Sequence, residues 1–292
     1  MPAFDFPASP SVGQKYPTPS VVGIPTYTWD GEKWTTIGSA VSGGLAVCYD
    51  IVQTLTAPQQ QQARQNIYAA PFNSVLAAAK FRLFTASGTY TPDPKLICAI
   101  VEVQAAGGGG GAVTGAAAYA LISGGGGGGS YCRKCLTAAQ IGASQSVVIG
   151  AGGAGGISGA GGTGGNSNFG ASLCLAYGGG GGAAASTALL GNAGPGGAPG
   201  TGDFGIAGMA GSAGLYSQRT DLTMAGAGDG GSCAFGPGGT TPLTGFTSFA
   251  AGVTPTGYGG GGSGGTVHSS GAAVAGGSGA PGVILITEFC SS

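Results

Sequence analysis

Glycine constrains this chain more than any other feature, because 67 of its 292 residues are glycine. Much of the glycine stands in uninterrupted runs, at 107–111, 124–129, 178–182 and 259–262. Elsewhere glycine recurs at every third position, from 153 to 165, from 191 to 200 and from 205 to 214. A helix of the polyproline II type has three residues per turn, so each triplet register leaves one ridge without side chains. Bare ridges let backbones touch, and neighbouring extended helices can then exchange N–H to C=O hydrogen bonds.

A flexible glycine-rich linker is the alternative interpretation of this composition. Against it, the glycine runs alternate with compact apolar strings, at 96–101, 147–149, 173–175 and 283–286. A collagen triple helix is excluded because the triplet registers are short and broken between sets. The sequence therefore predicts a mainly β fold for residues 81–292, a sandwich of β-strands and polyglycine II helices, with a strand over 283–289.

The amino-terminal region has a different character and predicts two smaller units. Residues 1–44 form a small separate unit with a β-hairpin, since Asp30-Gly31 separates Tyr27 and Trp29 from Trp34. Residues 45–80 form a short helical linker. Within it, Thr56 and Gln59 fit a capping box and predict a helix over 57–66. The spacing of apolar residues predicts another helix over 73–80.

The charge balance excludes several classes of partner. The chain has 9 basic and 10 acidic residues and a formal net charge of −1, so no charged field is available to attract nucleic acid. No apolar stretch is long enough to span a bilayer, and we expect no membrane insertion. The amino end lacks the basic and apolar segments of a secretory signal, so we expect assembly in a cytoplasm.

The cysteines do not predict a metal or cofactor site. Cys98, Cys174 and Cys290 lie in or beside apolar strings, where free cysteine behaves as a small buried hydrophobic residue. Cys132 and Cys135 form a CxxC motif with no matching pair, and no thioredoxin-like pattern surrounds it. We therefore expect no metal, no redox pair and no cofactor.

Catalytic side chains are scarce in the glycine-rich region. The single histidine, His268, has no carboxylate near it in sequence and is expected in a surface loop. Beyond Glu102, the carboxylates that a glycosidase could use are Asp203, Asp221, Asp229 and Glu288. Phosphate-binding glycine motifs are absent. We therefore expect no enzymatic activity and assign no catalytic residue.

Recognition residues are expected where glycine is interrupted. The longest gap between uninterrupted glycine runs extends from 183 to 258, and its most polar piece extends from Tyr216 to Asp221. Loops on a rigid scaffold commonly carry binding residues. The predicted contact residues are Tyr216, Gln218, Arg219 and Asp221, with Phe246 and Phe249 as second choice. Packing against the glycine helices is the alternative for residues 216–221, and it is the favoured role for Phe204 and Phe235.

Three segments of the chain resemble parts of bacteriophage tail fibre proteins. The string Tyr49-Asp50, Gln53, Leu55-Thr56, Gln62-Ala63-Arg64 and Asn66-Ile67 resembles a linker common in such fibres. The segment PxxGQxY…YTWDGEKW, from Pro10 to Trp34, is similar to a small module of phage structural proteins. Residues 136–182 resemble the glycine-rich carboxy-terminal domain of phage fibres, whose architectural relative is the polyglycine-sandwich adhesin of T-even-like phages.

The resemblance implies a virion protein of the tail fibre or tail tip that recognises the host surface. Its receptor would be a polysaccharide or an outer-membrane protein, and its amino-terminal module would contact other virion tail proteins. It implies a homotrimer that packs through the linker from Leu55 to Ile67. The alternative is a purely structural or ice-binding protein. Ice binding favours regular threonine or alanine ladders, whereas the corresponding positions here vary among many residue types.

Overall fold

A computed structural model describes residues 6–20, 26–36, 56–66, 76–115, 120–186, 191–218, 223–241, 249–267 and 272–291. The chain divides into two compact units, 1–75 and 76–292. The predicted domain boundaries after residues 44 and 80 stay predictions. The architecture is mainly β, as expected from the sequence.

The described part of the first unit contains a small antiparallel sheet and a helix. Its elements are β1 (Lys15–Tyr16), β2 (Tyr27–Trp29), β3 (Trp34–Thr36) and α1 (Ala57–Asn66). The predicted hairpin is confirmed, with Trp29 directly opposite Trp34. The carboxylate of Asp30 accepts the backbone N–H groups of Glu32 and Lys33 at 2.9 Å each, which closes the turn. Those hydrogen bonds, that of Lys33 first, lower the pKa of Asp30.

Helix α1 is confirmed over its predicted length. The N–H of Thr56 donates to the side chain of Gln59 at 2.9 Å, which is one half of the predicted capping box. The second predicted helix, over 73–80, is wrong in its described part, because Leu76 begins a long strand. Residues 73–75 lie outside the described residues.

The second unit is built from strands and glycine-rich segments. Its elements in chain order are β4 (Leu76–Phe84), β5 (Gly88–Tyr90), β6 (Leu96–Gln104), β7 (Leu121–Ile122), β8 (Tyr131–Thr137), α2 (Ala138–Ile141), β9 (Gln145–Val148), β10 (Ser167–Phe169), β11 (Cys174–Ala176), β12 (Phe204–Ile206), β13 (Leu215–Gln218), β14 (Thr223–Gly226), β15 (Phe249–Ala250), β16 (Thr266–Val267) and β17 (Val283–Ser291). None of the helices in the described residues is long and apolar enough to cross a membrane.

One end of this unit is a β-sandwich. A five-stranded antiparallel sheet has the order β12-β8-β6-β17-β4, and a four-stranded sheet has the order β11-β10-β9-β5. Alternate residues of both sheets point inward and form one apolar core. Its largest fully buried side chains include Tyr90, Phe169, Leu136 and Ile284. The predicted terminal strand is confirmed as β17, which pairs with β6 on one side and β4 on the other.

A disulfide bond between Cys132 on β8 and Cys174 on β11 joins the two sheets. The expectation that Cys174 is a free buried thiol is therefore wrong. Cys132 does not pair with Cys135, its neighbour in the CxxC motif, which is free and exposed. Cys290 is a buried free thiol as predicted, and Cys98 is half-buried.

We expect replacement of both Cys132 and Cys174 by alanine to lower the free energy of unfolding by about 3 kcal/mol. The bond closes a loop across a sequence separation of 42 residues, which restricts the unfolded chain. Chemical denaturation measures the loss. The matched control is Cys135→Ala, which removes an exposed thiol and should change stability by less than about 0.5 kcal/mol. Equal stability of the double variant and the wild type would contradict this expectation.

The sandwich also encloses a charged side chain, that of Glu288 on β17. Its carboxylate accepts the Tyr90 hydroxyl at 2.8 Å, the backbone N–H of Asp93 at 3.2 Å and the Arg82 Nε at 3.4 Å. Burial, together with the hydrogen bond to Glu288, raises the pKa of Tyr90. Asp93 pairs with Lys80, and that hydrogen bond lowers the pKa of Asp93. Glu288 therefore connects Tyr90, Asp93 and Arg82 by hydrogen bonds at the edge of the core.

Glycine-rich extended segments leave the sandwich and form the rest of the unit. Numbered along the chain, the segments within the described residues are 1 (105–113), 2 (123–130), 3 (150–156), 4 (159–165), 5 (177–185), 6 (191–197), 7 (208–212), 8 (228–232), 9 (236–241), 10 (252–253), 11 (259–265) and 12 (274–282). They contact one another through backbone hydrogen bonds rather than side chains.

Segment 1 shows the three-residue period that the sequence predicts. The N–H groups of Gly108, Gly109 and Gly110 donate in turn to segments 2, 4 and 12, at 2.8–2.9 Å. The same rotation repeats along the segment, and carbonyl groups of segment 1 accept from segments 3, 5 and 11. Three directions of donation and three of acceptance are what a threefold extended helix offers its neighbours.

Segments 1 and 2 are both fully surrounded within the described residues. Segment 2 exchanges hydrogen bonds with segments 1, 5, 6, 7, 8 and 11. The hydrogen bonds arrange the segments in three parallel rows. The central row is 3-1-2-7, with the row 4-5-6 on one side and the row 12-11-8 on the other. Segments 10 and 9 lie outside the row 12-11-8. Because every neighbour is backbone, the interior holds almost no side chains, and the packing needs glycine at nearly every contact.

The triplet registers point their bare ridges inward. Gly191, Gly194 and Gly197 are buried; Gly194 and Gly197 donate their N–H groups to segment 2, and Gly191 donates to Ile122 just before it. The register from 153 to 165 is not one helix, because the chain turns at 157–158 and returns as segment 4. Glycines on both arms bond segment 1, so one sequence register serves two segments.

The expected packing of Phe204 along the glycine segments is wrong, and that of Phe235 stays a prediction. Phe204 lies on β12 and is 56% exposed, because the sheet leaves that face open. Phe235 is half-buried and its ring lies 5.9 Å from that of Tyr131 on β8.

Candidate functional site

The end of the bundle opposite the β-sandwich gathers the connections between glycine segments. Here the chain leaves and re-enters the bundle between segments 1 and 2, 3 and 4, 5 and 6, 7 and 8, 9 and 10, and 11 and 12. We call this the distal end. Connections far apart in sequence therefore leave the scaffold close together.

A small sheet, in the order β15-β16-β7, closes part of the distal end. Leu121 and Val267 are buried there in a cluster with Val113 and Val274. Phe249, on β15 at the edge of this sheet, is 62% exposed. Of the predicted contact residues, Phe249 is thus placed on the surface of the distal end, while Phe246 lies outside the described residues.

The β13–β14 hairpin rises between segments 7 and 8 at the same end. Tyr216 pairs with Ala225, and Gln218 pairs with Thr223. The structure therefore places the backbones of Tyr216 and Gln218 two positions apart on one strand. Arg219 and Asp221 lie outside the described residues, as does His268.

A depression of about 210 Å³ lies at the base of this hairpin. Its lining residues are Ser212, Ala213, Leu215, Gly226, Ala227, Asp229 and Thr241. They come from the ends of segments 7, 8 and 9 and from the first and last positions of the hairpin strands. The volume is below that of pockets that enclose drug-sized ligands, so the depression suits one small group of a larger ligand.

The polar groups of the depression form a short network. Asp229 donates its N–H to the Ser212 hydroxyl at 2.8 Å, and its carboxylate accepts the N–H of Thr241 at 3.0 Å. The Thr241 hydroxyl oxygen is buried without a hydrogen-bond partner. A carboxylate, two hydroxyls and an exposed leucine side chain can together contact the hydroxyls and the apolar face of a sugar.

Sequence reasoning found only part of this arrangement. Asp229 was considered as a carboxylate, and Ser212 and Thr241 gave no signal, because Ser212 follows Gly211 and Thr241 lies between Thr240 and Pro242, with no polar cluster around either. Only the hydrogen bonds between segments 7, 8 and 9 bring the three together.

The carboxylates considered for glycoside hydrolysis are held in separate networks. Asp203 accepts the N–H of Cys135 at 2.9 Å, Asp229 accepts that of Thr241, and Glu288 is buried in the sandwich. Asp221 lies outside the described residues. The described ranges contain no group of His, Cys, Asp or Glu side chains arranged to hold a metal ion.

Comparison with known families finds one relationship. A family model described as a glycine-rich domain matches residues 85–287, which is well over half of the chain. The match covers most of the β-sandwich, the glycine segments and the distal end. Among curated proteins, none matches the chain.

Proposed function

The chain belongs to the glycine-rich domain family, and from that premise we propose that it is a bacteriophage tail fibre or tail-tip protein that attaches the virion to the host surface. One observation carries the proposal most strongly. A rigid, backbone-bonded bundle collects its connecting loops at one end, away from the sandwich. Loops presented by a rigid scaffold suit recognition, because little ordering is needed on binding.

The receptor contact is proposed at the distal end. Its parts are the β13–β14 hairpin, the depression at its base and the exposed ring of Phe249. The proposed aromatic and amide contact residues, Tyr216 and Gln218, belong to strand β13, whose first residue, Leu215, lines the same depression as Asp229. This combination favours a surface polysaccharide, since sugars present hydroxyls and flat apolar faces.

The remaining parts of the proposal concern assembly. The amino-terminal module would attach to other tail proteins, and the mature protein would reside in the virion as a homotrimer. Helix α1 itself is polar, with the sequence APQQQQARQN, so a threefold contact there would depend on the flanking Leu55 and Ile67. A monomeric mass for the full chain in assembled particles would contradict the trimer.

We expect the double change Tyr216→Ala and Arg219→Ala to lower phage adsorption by at least about tenfold, while thermal unfolding stays unchanged. Adsorption of particles to host cells measures the effect. The matched control is Lys95→Ala, which removes an exposed positive charge before β6, at the sandwich end. Normal adsorption by the double variant would place the receptor surface elsewhere. If purified chain also failed to block adsorption, a purely structural role would be favoured.

A further inference from the structure

The five-stranded sheet has a second face that points away from the sandwich core. We call it the outer face. Side chains alternate between the two faces along each strand, which identifies the outer face. Val101 and Ile286 point into the core, and their neighbours Ile100 and Leu285 point outward. Cross-strand register places Leu83 beside Leu285, and Phe81 in the next row on the same side.

Large apolar side chains stand exposed at both edges of the outer face. Phe81 and Leu83 on β4 are 71% and 61% exposed, and Phe204 and Ile206 on β12 are 56% and 44% exposed. Ile100 and Leu285, between them, are only half-buried. Soluble monomers rarely expose several large apolar side chains on one sheet face, so this pattern marks an interaction surface.

The outer face carries almost no net charge. Among its described positions, Glu102 and Arg133 are directly opposite each other on β6 and β8. Glu102 also accepts the hydroxyl of Tyr131 at 2.6 Å. A neutral, apolar face has no charge preference for a foreign partner, and two identical copies of it do not repel each other.

The area of the outer face suits a stable contact between proteins. With strands about 4.8 Å apart and about 3.3 Å per residue, it covers roughly 600 Å². Two such faces together amount to about 1,200 Å², which is the lower end of the range for specific, stable protein–protein interfaces.

From these observations we propose that copies of this chain associate through the outer face of the five-stranded sheet. The contact is apolar, has Leu285 and Ile100 at its centre, and extends to Phe81 and Leu83 at one edge and Phe204 at the other. It goes beyond the proposed attachment function and does not depend on the receptor or on the linker around α1. It leaves the distal end free in every copy, because the sheet lies at the opposite end of the bundle.

The purified full-length chain tests this through its mass in solution over a wide concentration range. We expect a discrete oligomer in the wild type, and Leu83→Glu should raise its dissociation constant by at least about tenfold. Thermal unfolding of the monomeric variant checks that it is folded. Ile157→Glu is the matched control, since Ile157 is 82% exposed at the distal turn, and its variant should keep the oligomer.

Cys135 provides a second measurement at the same surface, since it is exposed on the outer face beside Ile100. Its alkylation, followed by peptide mass analysis, should slow as protein concentration rises and should recover in Leu83→Glu. A monomeric wild type at all concentrations would overturn the proposal. So would equal association of the Leu83 and Ile157 variants, or protection of Cys135 that does not change with concentration, which would indicate cover by the chain's own residues. Loss of association would leave the adsorption test of the distal end unaffected.

Discussion

Replacing Gly126 by alanine should lower the free energy of unfolding by about 5 kcal/mol, or prevent folding of the glycine-rich unit altogether. Gly126 lies in segment 2, and an added Cβ would come closer than 3.0 Å to carbonyl oxygens of Gly108 and Gly109. Those atoms are backbone and cannot rotate away. Separating the segments would strand buried groups such as the Gly126 N–H, which donates to Gly262 at 2.8 Å.

Thermal unfolding followed by circular dichroism measures this effect, and we expect the transition to fall by at least about 10 °C. Gly159→Ala is the matched control, because a Cβ there meets no heavy atom within 4 Å. That variant should unfold within about 1 kcal/mol of the wild type. If both variants unfolded alike, the close backbone packing of segments 1 and 2 would be incorrect.

Replacing Glu288 by alanine should lower the free energy of unfolding by about 4 kcal/mol. The change removes a fully buried carboxylate and leaves the Tyr90 hydroxyl without its acceptor. Most of the loss comes from these buried groups, since the side chain of Arg82 is 49% exposed and solvent screens its contribution. Chemical denaturation of the purified chain measures the loss.

Two further variants separate the contributions at Glu288. Tyr90→Phe removes one hydrogen bond and should cost about 1.5 kcal/mol. Asp203→Ala removes an exposed carboxylate that accepts one backbone N–H, at 2.9 Å from Cys135, and should cost about 1 kcal/mol. A loss at Glu288 no larger than that at Asp203 would mean that the buried network contributes little.

Local patterns in the sequence predicted several elements correctly, for local reasons. Asp30-Gly31 specifies its own turn, because the carboxylate accepts nearby N–H groups and glycine adopts the positive φ of 112° found there. The start of α1 follows from Thr56 and Gln59, which contact each other across three residues. The apolar string at 283–286 predicted β17, since it needs burial whatever lies beside it.

Residues 76–80 show where such patterns fail. The apolar spacing there fits a helix, yet the strand β4 forms because its backbone pairs with β17 along most of its length. That pairing joins residues some two hundred positions apart, and nothing local encodes it. Phe204 was misplaced for the same reason, since its exposure depends on the open face of a sheet assembled from distant strands.

The candidate site likewise has one part that the sequence predicted and one part that depends on contacts between distant segments. A polar run within a glycine-rich region was enough to direct attention to residues 216–221. The depression beneath it was not predictable, because Ser212, Asp229 and Thr241 lie on three different segments. Their approach depends on the order in which those segments pack.

Glycine periodicity required that ridges of backbone touch, because only contact with other backbone groups satisfies extended helices that have no internal hydrogen bonds. That much follows from composition and register alone. Composition and register do not determine which ridge meets which neighbour. One bare ridge is chemically identical to another and carries no side chain to identify its partner. The row order of segments 1 to 12 was decided by the strands and connections at the two ends, whose side chains differ and whose pairing holds each segment in place.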